Sequence, residues 1–456
     1  MKNKISLLAT FLLFWGTFCA SGQGTPPSFS LQQSINYALQ NRPSLQATRN
    51  EQRIAKAQVG EIRAMGLPQI NGSLDVGDNF VQQQSFLPAE FFQDPDNPNA
   101  PEPGTFVPVT FTPAYTGNAT VTGSQLLFDG TYLIGLKAAK TYTELSRKTT
   151  IQSEIDVAEQ VSKAYYGVLV NRERFELLNQ NLVRLDTLLY QTRIMFENGV
   201  AEKLDVDRLR VQLNNLKVEQ QKTERLMAIS ENLLKFQMGI DQKQVILLTD
   251  ELAEVEVDVS KVRPQNFDYT NRIEYSILET QRDLAELDLR NRKSGYLPKL
   301  YLNARYGYIT ASNEFSNITK TRNWLEFGYV GGQLQLPIFD GLRKHYQIQQ
   351  GKIALENTKL GFQTLAQSID LELEQASVEL TNSLDVLESQ RENMALAEEI
   401  ARVAKIKFQE GVGTNLEVVN AETDLREAQT NYYAAMYDAL IAKVNLDRAT
   451  GTLFTK

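Results

Sequence analysis

Cysteine and histidine are nearly missing from this chain. Of its 456 residues, one is a cysteine, Cys19, and one is a histidine, His345. A lone thiol excludes an internal disulfide framework, and the pair is too few for a Cys/His zinc site or a Cys–His nucleophile. The sequence also has no phosphate-binding glycine loop and no nucleophile elbow. Acidic pairs such as Glu398 and Glu399 fall on what read as helix surfaces. No catalysis, cofactor or metal is expected. Basic charge is in deficit, with 47 Lys and Arg against 55 Asp and Glu, so the formal charge is −8 and nucleic acid is a poor partner. Past the N-terminus no stretch approaches the roughly 18 uninterrupted apolar residues of a membrane-spanning helix. Any bilayer-spanning part must therefore be a closed β-barrel, which satisfies its backbone groups internally.

The N-terminus reads as an export signal. Lys2 and Lys4 precede an apolar run from Ile5 to Phe18, and Ala20 and Gly22 supply small residues for cleavage before Gln23. A signal peptide is expected over 1–22; its loss would remove Cys19 and, with the two lysines, shift the charge from −8 to −10. Lipidation of Cys19 is disfavoured by bulky Phe18 in the preceding position.

What is present is one plan written twice. NRPSLQATRNEQRIAKAQVGEIRAMGLPQI from Asn41 answers NRIEYSILETQRDLAELDLRNRKSGYLPKL from Asn271, both running from Asn-Arg to a Leu-Pro pair. LLFDG (126–130) answers PIFDG (337–341), FENGVAEKLDV (196–206) answers FQEGVGTNLEV (408–418), and LKFQMG (234–239) answers LDRATG (446–451). Four landmarks in one order make a tandem duplication.

Prolines punctuate the plan. All 14 lie at or before Pro113 or at 264, 298 and 337, which leaves the segments after each FDG free of the strongest helix breaker. Val157, Val161, Ala164, Val168, Asn171, Phe175, Leu178, Leu182, Leu185 and Leu189 recur in steps of three and four, a heptad seam with one polar interruption. Ile369, Leu373, Ala376, Leu380, Leu387, Met394, Ala397 and Phe408 form a weaker version. Residues 131–198 would make a helix roughly 100 Å long. The 36-residue segments 31–66 and 204–239 would fit beside it end to end, an arrangement expected to give an elongated helical tube.

Between the Leu-Pro pairs and the FDG motifs the period changes to two. Leu302, Ala304, Tyr306 and Tyr308 alternate with Tyr301, Asn303, Arg305 and Gly307; Ile70, Gly72, Leu74 and Val76 alternate with Asn71, Ser73, Asp75 and Gly77. Barrel strands with lipid on one side and water on the other fit this pattern, and so does a soluble sheet over a core. Four strands cannot close alone, so the barrel reading implies an oligomer.

The fold class expected is mainly α with β, in two repeats. The first, 23–250, carries a half-length helix, strands at about 68–82 and 107–128, a long helix over 131–198 and a half-length helix over 204–239. A linker follows at 251–266. The second, 267–456, repeats the scheme with strands at about 298–310 and 323–337, a long helix over 342–409 and a half-length helix over 416–450. The first copy also has a Pro-, Asp- and Asn-rich insertion over 82–113, read as an irregular exposed loop.

With these landmarks the chain resembles the TolC-like outer-membrane efflux proteins, the outer membrane factors of tripartite pumps. The resemblance rests on the duplicated plan, NRP at Asn41, the Leu-Pro strand openings, both FDG motifs and GVGTNLEVVNAETDLREAQTNYYAAMYDALIAKVNLDRATG (411–451). It implies a homotrimer whose chains each give four strands to one β-barrel in the outer-membrane lipid, continued by an α-helical barrel across the periplasm. It further implies a duct for efflux or type I secretion, whose helical tips meet a periplasmic adaptor protein and an inner-membrane transporter. Residues 240–266 would belong to a belt around the middle of the tube. A secreted coiled-coil structural or adhesive protein with a small β domain is the alternative.

The turn residues are the candidate sites. Gly411 and Gly413 are expected to take the positive φ that ends a helix, and Thr414 to cap the next one; Gly199 and Val200 occupy the first-copy turn. With Val412 these residues are the expected docking tips. The family's paired entrance carboxylates align with Glu417 and Asn420, so one acidic ring is implied and the second is neutral; Asp205 and Asp207 would add charge nearby. Thr414 and Glu417 also read as a capping box, which is compatible with a place at the throat.

Overall fold

The structure, a computed structural model, describes residues 27–93, 101–252 and 267–453. The expected signal peptide with Cys19, and the linker beyond Leu252, lie outside the described residues. The described residues open with β1 (Ser28–Phe29), α1 (Leu31–Asn41), α2 (Pro43–Ala64) and β2 (Gln69–Asp78). Next come β3 (Gln84–Pro88), β4 (Phe106–Thr110), β5 (Tyr115–Phe128) and the long helices α3 (Gly130–Glu197) and α4 (Lys203–Met238). After β6 (Leu247–Leu248) follow α5 (Ile273–Ser294), β7 (Lys299–Ser312), the single turn α6 (Phe315–Ile318), β8 (Leu325–Gln335), α7 (Arg343–Gln409) and α8 (Asn415–Ala449).

Prolines set two breaks that differ from the sequence reading. Arg42 is extended, with φ −62° and ψ 122°, because the ring of Pro43 disfavours the helical region at the residue before it. The first half-length helix is therefore two helices. The stretch read as one strand over 107–128 is also divided. Phe106–Thr110 pairs antiparallel with Gln84–Pro88, while Tyr115–Phe128 joins the main sheet, and the break contains Pro113, which has no N–H to give a ladder. The 82–113 insertion thus holds a small antiparallel ladder.

Two compact units cut across the two sequence copies. The first takes the described residues of Met1–Gln46, Glu154–Phe267 and Glu372–Lys456. It is helical, with three apolar clusters. Ile35, Ala38 and Leu39 of α1 pack with Val161, Tyr165 and Leu169 of α3, Leu234 and Met238 of α4, and Leu440 of α8. Leu178, Leu185 and Leu188 of α3 pack with Leu209, Leu213 and Leu216 of α4, Phe408 of α7, and Val418 and Leu425 of α8. Ala376 and Leu380 of α7 meet Ala442 and Leu446 of α8. The heptad positions Val157, Val161, Ala164, Val168, Leu178 and Leu185 are all buried, so the 3–4 spacing lines the seam. A polar string interrupts the leucines: Asn181 Nδ2 donates to Gln429 Oε1 at 2.8 Å, Arg184 Nη2 to Asn181 Oδ1 at 2.6 Å, and Arg184 Nε to Glu422 Oε2 at 3.0 Å. Such directional contacts fix the register of α3 against α8, which leucines alone leave slippery.

The second unit, Ala47–Ser153 with Asp268–Leu371, holds a four-stranded antiparallel sheet in the order β2-β5-β7-β8. Ile70 pairs with Gly123, Val121 with Tyr306, and Ala304 with Val330, so the apolar halves of all four strands share one face. Asn71 with Thr122, Thr122 with Arg305, and Asn303 with Gly331 share the polar one. The apolar face is open: Ile70 is 73% exposed, Leu74 71% and Val330 73%. A soluble sheet would cover this face with its core. β2 and β8 each keep one unpaired edge.

Candidate functional site

The α3–α4 and α7–α8 connections are built alike, from a left-handed glycine followed by a helix N-cap. In the first, Gly199 has φ +78°, and Val200 N–H reaches back to Met195 O at 2.8 Å. In the second, Gly411 has φ +72°, and Val412 N–H reaches Lys407 O at 3.0 Å. This six-to-one bond satisfies a carbonyl that the helix end leaves free, and only glycine takes the required φ without a Cβ penalty. Gln409 Nε2 donates to Gln191 Oε1 at 3.4 Å, tying the last turns of α7 and α3.

Gly413 departs from the expectation. Positive φ belongs to Gly411 alone, and Gly413 is required for space: a Cβ there would lie 2.9 Å from Lys407 Cβ and 3.1 Å from Lys407 C and Phe408 N. Its N–H shares Lys407 O at 3.0 Å. The first-copy residue at this place is Ala201, whose N–H lies 3.3 Å from Met195 O, a looser closure that leaves room for the methyl.

The caps also differ. Thr414 Oγ1 accepts from Glu417 N–H at 3.3 Å, but the Glu417 carboxylate makes no hydrogen bond or ion pair among the described residues and is exposed, so only half of the expected box forms. In the first copy Asp205 Oδ2 accepts from Glu202 N–H at 3.3 Å, and Asp205 Oδ1 lies 3.7 Å from Arg208 Nη1. Asp207 Oδ1 lies 4.0 Å from Arg210 Nη1. These two aspartates are thus partly offset by side chains of their own helix, and Glu417, one residue from the buried Val418, has no side-chain partner among the described residues. Asn420 is exposed beside it.

The two turns carry exposed apolar surface that includes Val200 and Val412, both among the expected docking residues. Val200 is 72% exposed and Val412 78%, with Leu204 and Leu416 about half exposed behind them. Asn415, the first residue of α8, is 4% exposed with neither side-chain polar atom hydrogen-bonded among the described residues. Nothing in the spacing of NLEVV distinguishes that asparagine from a solvated one.

At the far end of the plan, Asp129 of FDG is buried where β5 becomes α3. Its Oδ1 accepts from Thr131 N–H at 2.7 Å and Thr131 Oγ1 at 2.6 Å, and its Oδ2 lies 2.9 Å from Lys299 Nζ. Burial pushes this carboxyl up, but the Thr131 and Lys299 bonds outweigh it and hold Asp129 below the ordinary aspartate range. Asp340, in the second FDG, is served by its own helix through Lys344 Nζ at 2.9 Å. The side-chain bond to Lys344 is the chief cause holding its carboxyl below the usual value. His345 rests edge-on against Tyr346.

Known proteins are similar to the chain over most of its length. A family model described as outer membrane efflux protein covers residues 34–239 and 276–452, both copies of the plan. Outer membrane protein TolC of Vibrio cholerae serotype O1 is 22% identical over 435 residues, 93% of this chain and 91% of the relative. The toluene efflux pump outer membrane protein TtgC of Pseudomonas putida is 24% identical over 328 residues, 69% of this chain and 64% of the relative. Among solved structures, CusC has a TM-score of 0.71 at 16% identity, covering 92% of this chain and 91% of that one. The outer membrane protein VceC of Vibrio cholerae has a TM-score of 0.67 at 15% identity, covering 92% and 96%.

Proposed function

The chain belongs to the outer membrane efflux protein family and is an outer-membrane efflux channel; from that premise we propose that it is a homotrimer, the passive exit duct of a tripartite pump or type I secretion system. The observation that carries this reading is the sheet β2-β5-β7-β8, with an open apolar face, a polar opposite face and two unpaired edges. Outer-membrane lipid covers the apolar face, and further copies complete the edges. The secreted coiled-coil alternative does not account for family membership and is set aside.

In the assembled duct the turns at Gly199–Val200 and Gly411–Thr414 are the periplasmic tips. A periplasmic adaptor docks on the exposed Val200 and Val412, and an inner-membrane transporter supplies the cargo. Glu417 lines the entrance as a ring of three carboxylates with Asn420 as a neutral neighbour, while the arginine-paired Asp205 and Asp207 contribute less charge. Converging carboxylates in a narrow aqueous throat favour cations, and increasingly so at low salt.

Single-channel current across a planar bilayer tests the reading. Detergent-purified protein should give stable, cation-favouring steps. A protein that stays soluble without detergent and leaves the bilayer silent would refute it.

A further inference from the structure

The duplication extends to strand register. Pro68 and Pro298 open the first strands 230 positions apart, and Phe128 and Phe339 close the second strands 211 apart. Applying these offsets to the first hairpin turns Ile70–Gly123 into Leu300–Leu334, Asn71–Thr122 into Tyr301–Gln333, and Asp78–Tyr115 into Tyr308–Glu326. Each of those pairs is present in the second hairpin. The two hairpins are the same object in backbone terms. They are joined through β5 and β7, where Ala119 pairs with Tyr308, Thr122 with Arg305 and Ser124 with Asn303.

From this repetition we infer the seam between neighbouring copies: the free edge of β8 takes the free edge of β2 from a second chain in the register that joins β5 to β7. This rests on the trimeric reading above and goes beyond it by fixing which residues meet. Gln333 lies opposite Asp75 of the partner subunit, Leu334 opposite Leu74 of the partner subunit, and Gln335 opposite Ser73 of the partner subunit. Two observations support it. The β5–β7 ladder shifts register between Leu126 and Phe128, and the second-copy counterparts of those residues are Pro337 and Phe339. A proline without an N–H thus falls at the bulge, where a strand tolerates one. Ile338 and Phe339 are 96% and 82% exposed, whereas Phe128, which pairs with Leu300 within the chain, is 38% exposed. The missing cover is the start of another β2.

The same register has a chemical consequence. Asp75 and Arg305 occupy equivalent positions in the two copies and share the polar face. A closed ring would therefore alternate three carboxylates with three guanidinium groups around the bore, in contrast to the one-sign ring assigned to Glu417.

Disulfide trapping tests the register. Residues directly opposite in an antiparallel ladder have Cα atoms about 4.5–5.5 Å apart, within disulfide reach, while diagonal neighbours at about 7–8 Å are at or beyond its limit. Mild oxidation of Asp75→Cys with Gln333→Cys should convert most chains to covalent dimers and trimers, against a background set by the single variants. Asp75→Cys with Gln335→Cys, and Asp75→Cys with Gly331→Cys, should stay near that background. The intrachain counterpart Thr122→Cys with Arg305→Cys should close within one chain, which shows that the sheet is formed and oxidant-accessible. Trapping only in a displaced pair would overturn the register and keep the shared edge. Trapping in none of the three, with the intrachain control closed, would overturn this register, and single-channel steps from the same variant would show that the trimeric barrel itself still stands.

Discussion

Gly411 is held at φ +72° with open space where a Cβ would sit, so a substitution there costs backbone strain and nothing from packing. For an L-residue the left-handed region costs roughly 1–2 kcal/mol relative to glycine, and asparagine is among the least penalised. Gly411→Ala should therefore open the α7–α8 turn more often, by roughly five- to thirty-fold. Gly411→Asn should fall between wild type and alanine, and Gly411→Val, branched at Cβ, should be worst. The observable is hydrogen–deuterium exchange at the Val412 and Gly413 amides, which both bond to Lys407 O at 3.0 Å and report local opening. Amides in the middle of α7 should exchange as before, because the strain is confined to the turn. Equal protection in all four proteins would refute the assignment of this glycine to conformation. Protection lost throughout α7 and α8 would refute the claim that the turn is an independent local unit.

Other substitutions separate the remaining roles. Glu417→Ala should weaken cation preference in single-channel recordings while leaving thermal stability nearly unchanged, since the carboxylate has no partner among the described residues; unchanged selectivity would remove it from the throat. Thr414→Ala should cost about 1 kcal/mol of local stability through the lost cap on Glu417 N–H, read as faster exchange in the first turn of α8. Gly413→Ala should be milder than Gly413→Leu, because Ala201 shows that a slightly opened turn accommodates a methyl; bulky residues at both Gly411 and Gly413 should abolish transport with trimers still in the membrane. Asp129 has a folded pKa below its unfolded one, so its contribution is present above about pH 4 and is lost as pH falls through the folded value. Asp129→Asn should flatten that acid limb of the melting profile, and an unaltered limb would show that the Asp129–Lys299 pair does not set it.

Much of the architecture was legible because it is periodic. Val157 to Leu189 repeats at heptad spacing, and helix α3 buries most of that stripe. Tyr301 to Tyr308 repeats at spacing two, and β7 divides those residues between two faces. Periodicity does not encode what lies opposite, however. That Asp129 meets Lys299 across 170 positions, or Asn181 meets Gln429 across 248, follows from how helices and strands are brought together. The turn residues show the same division on a smaller scale. The sequence marked both Gly411 and Gly413, yet one is needed for its φ and the other for the approach of Lys407, two reasons that look identical in one-letter code.

By itself the sequence determined the repeat, the helix reversals at the glycine turns, and the two-faced strands, because each depends on residues a few positions apart. The tertiary structure alone decided which strands neighbour one another, which edges stay unpaired, and that buried Asp129 is met by Lys299 of another strand. Those properties depend on distances between residues tens to hundreds of positions apart in the chain. Backbone pairing and close packing set such distances, and local composition does not.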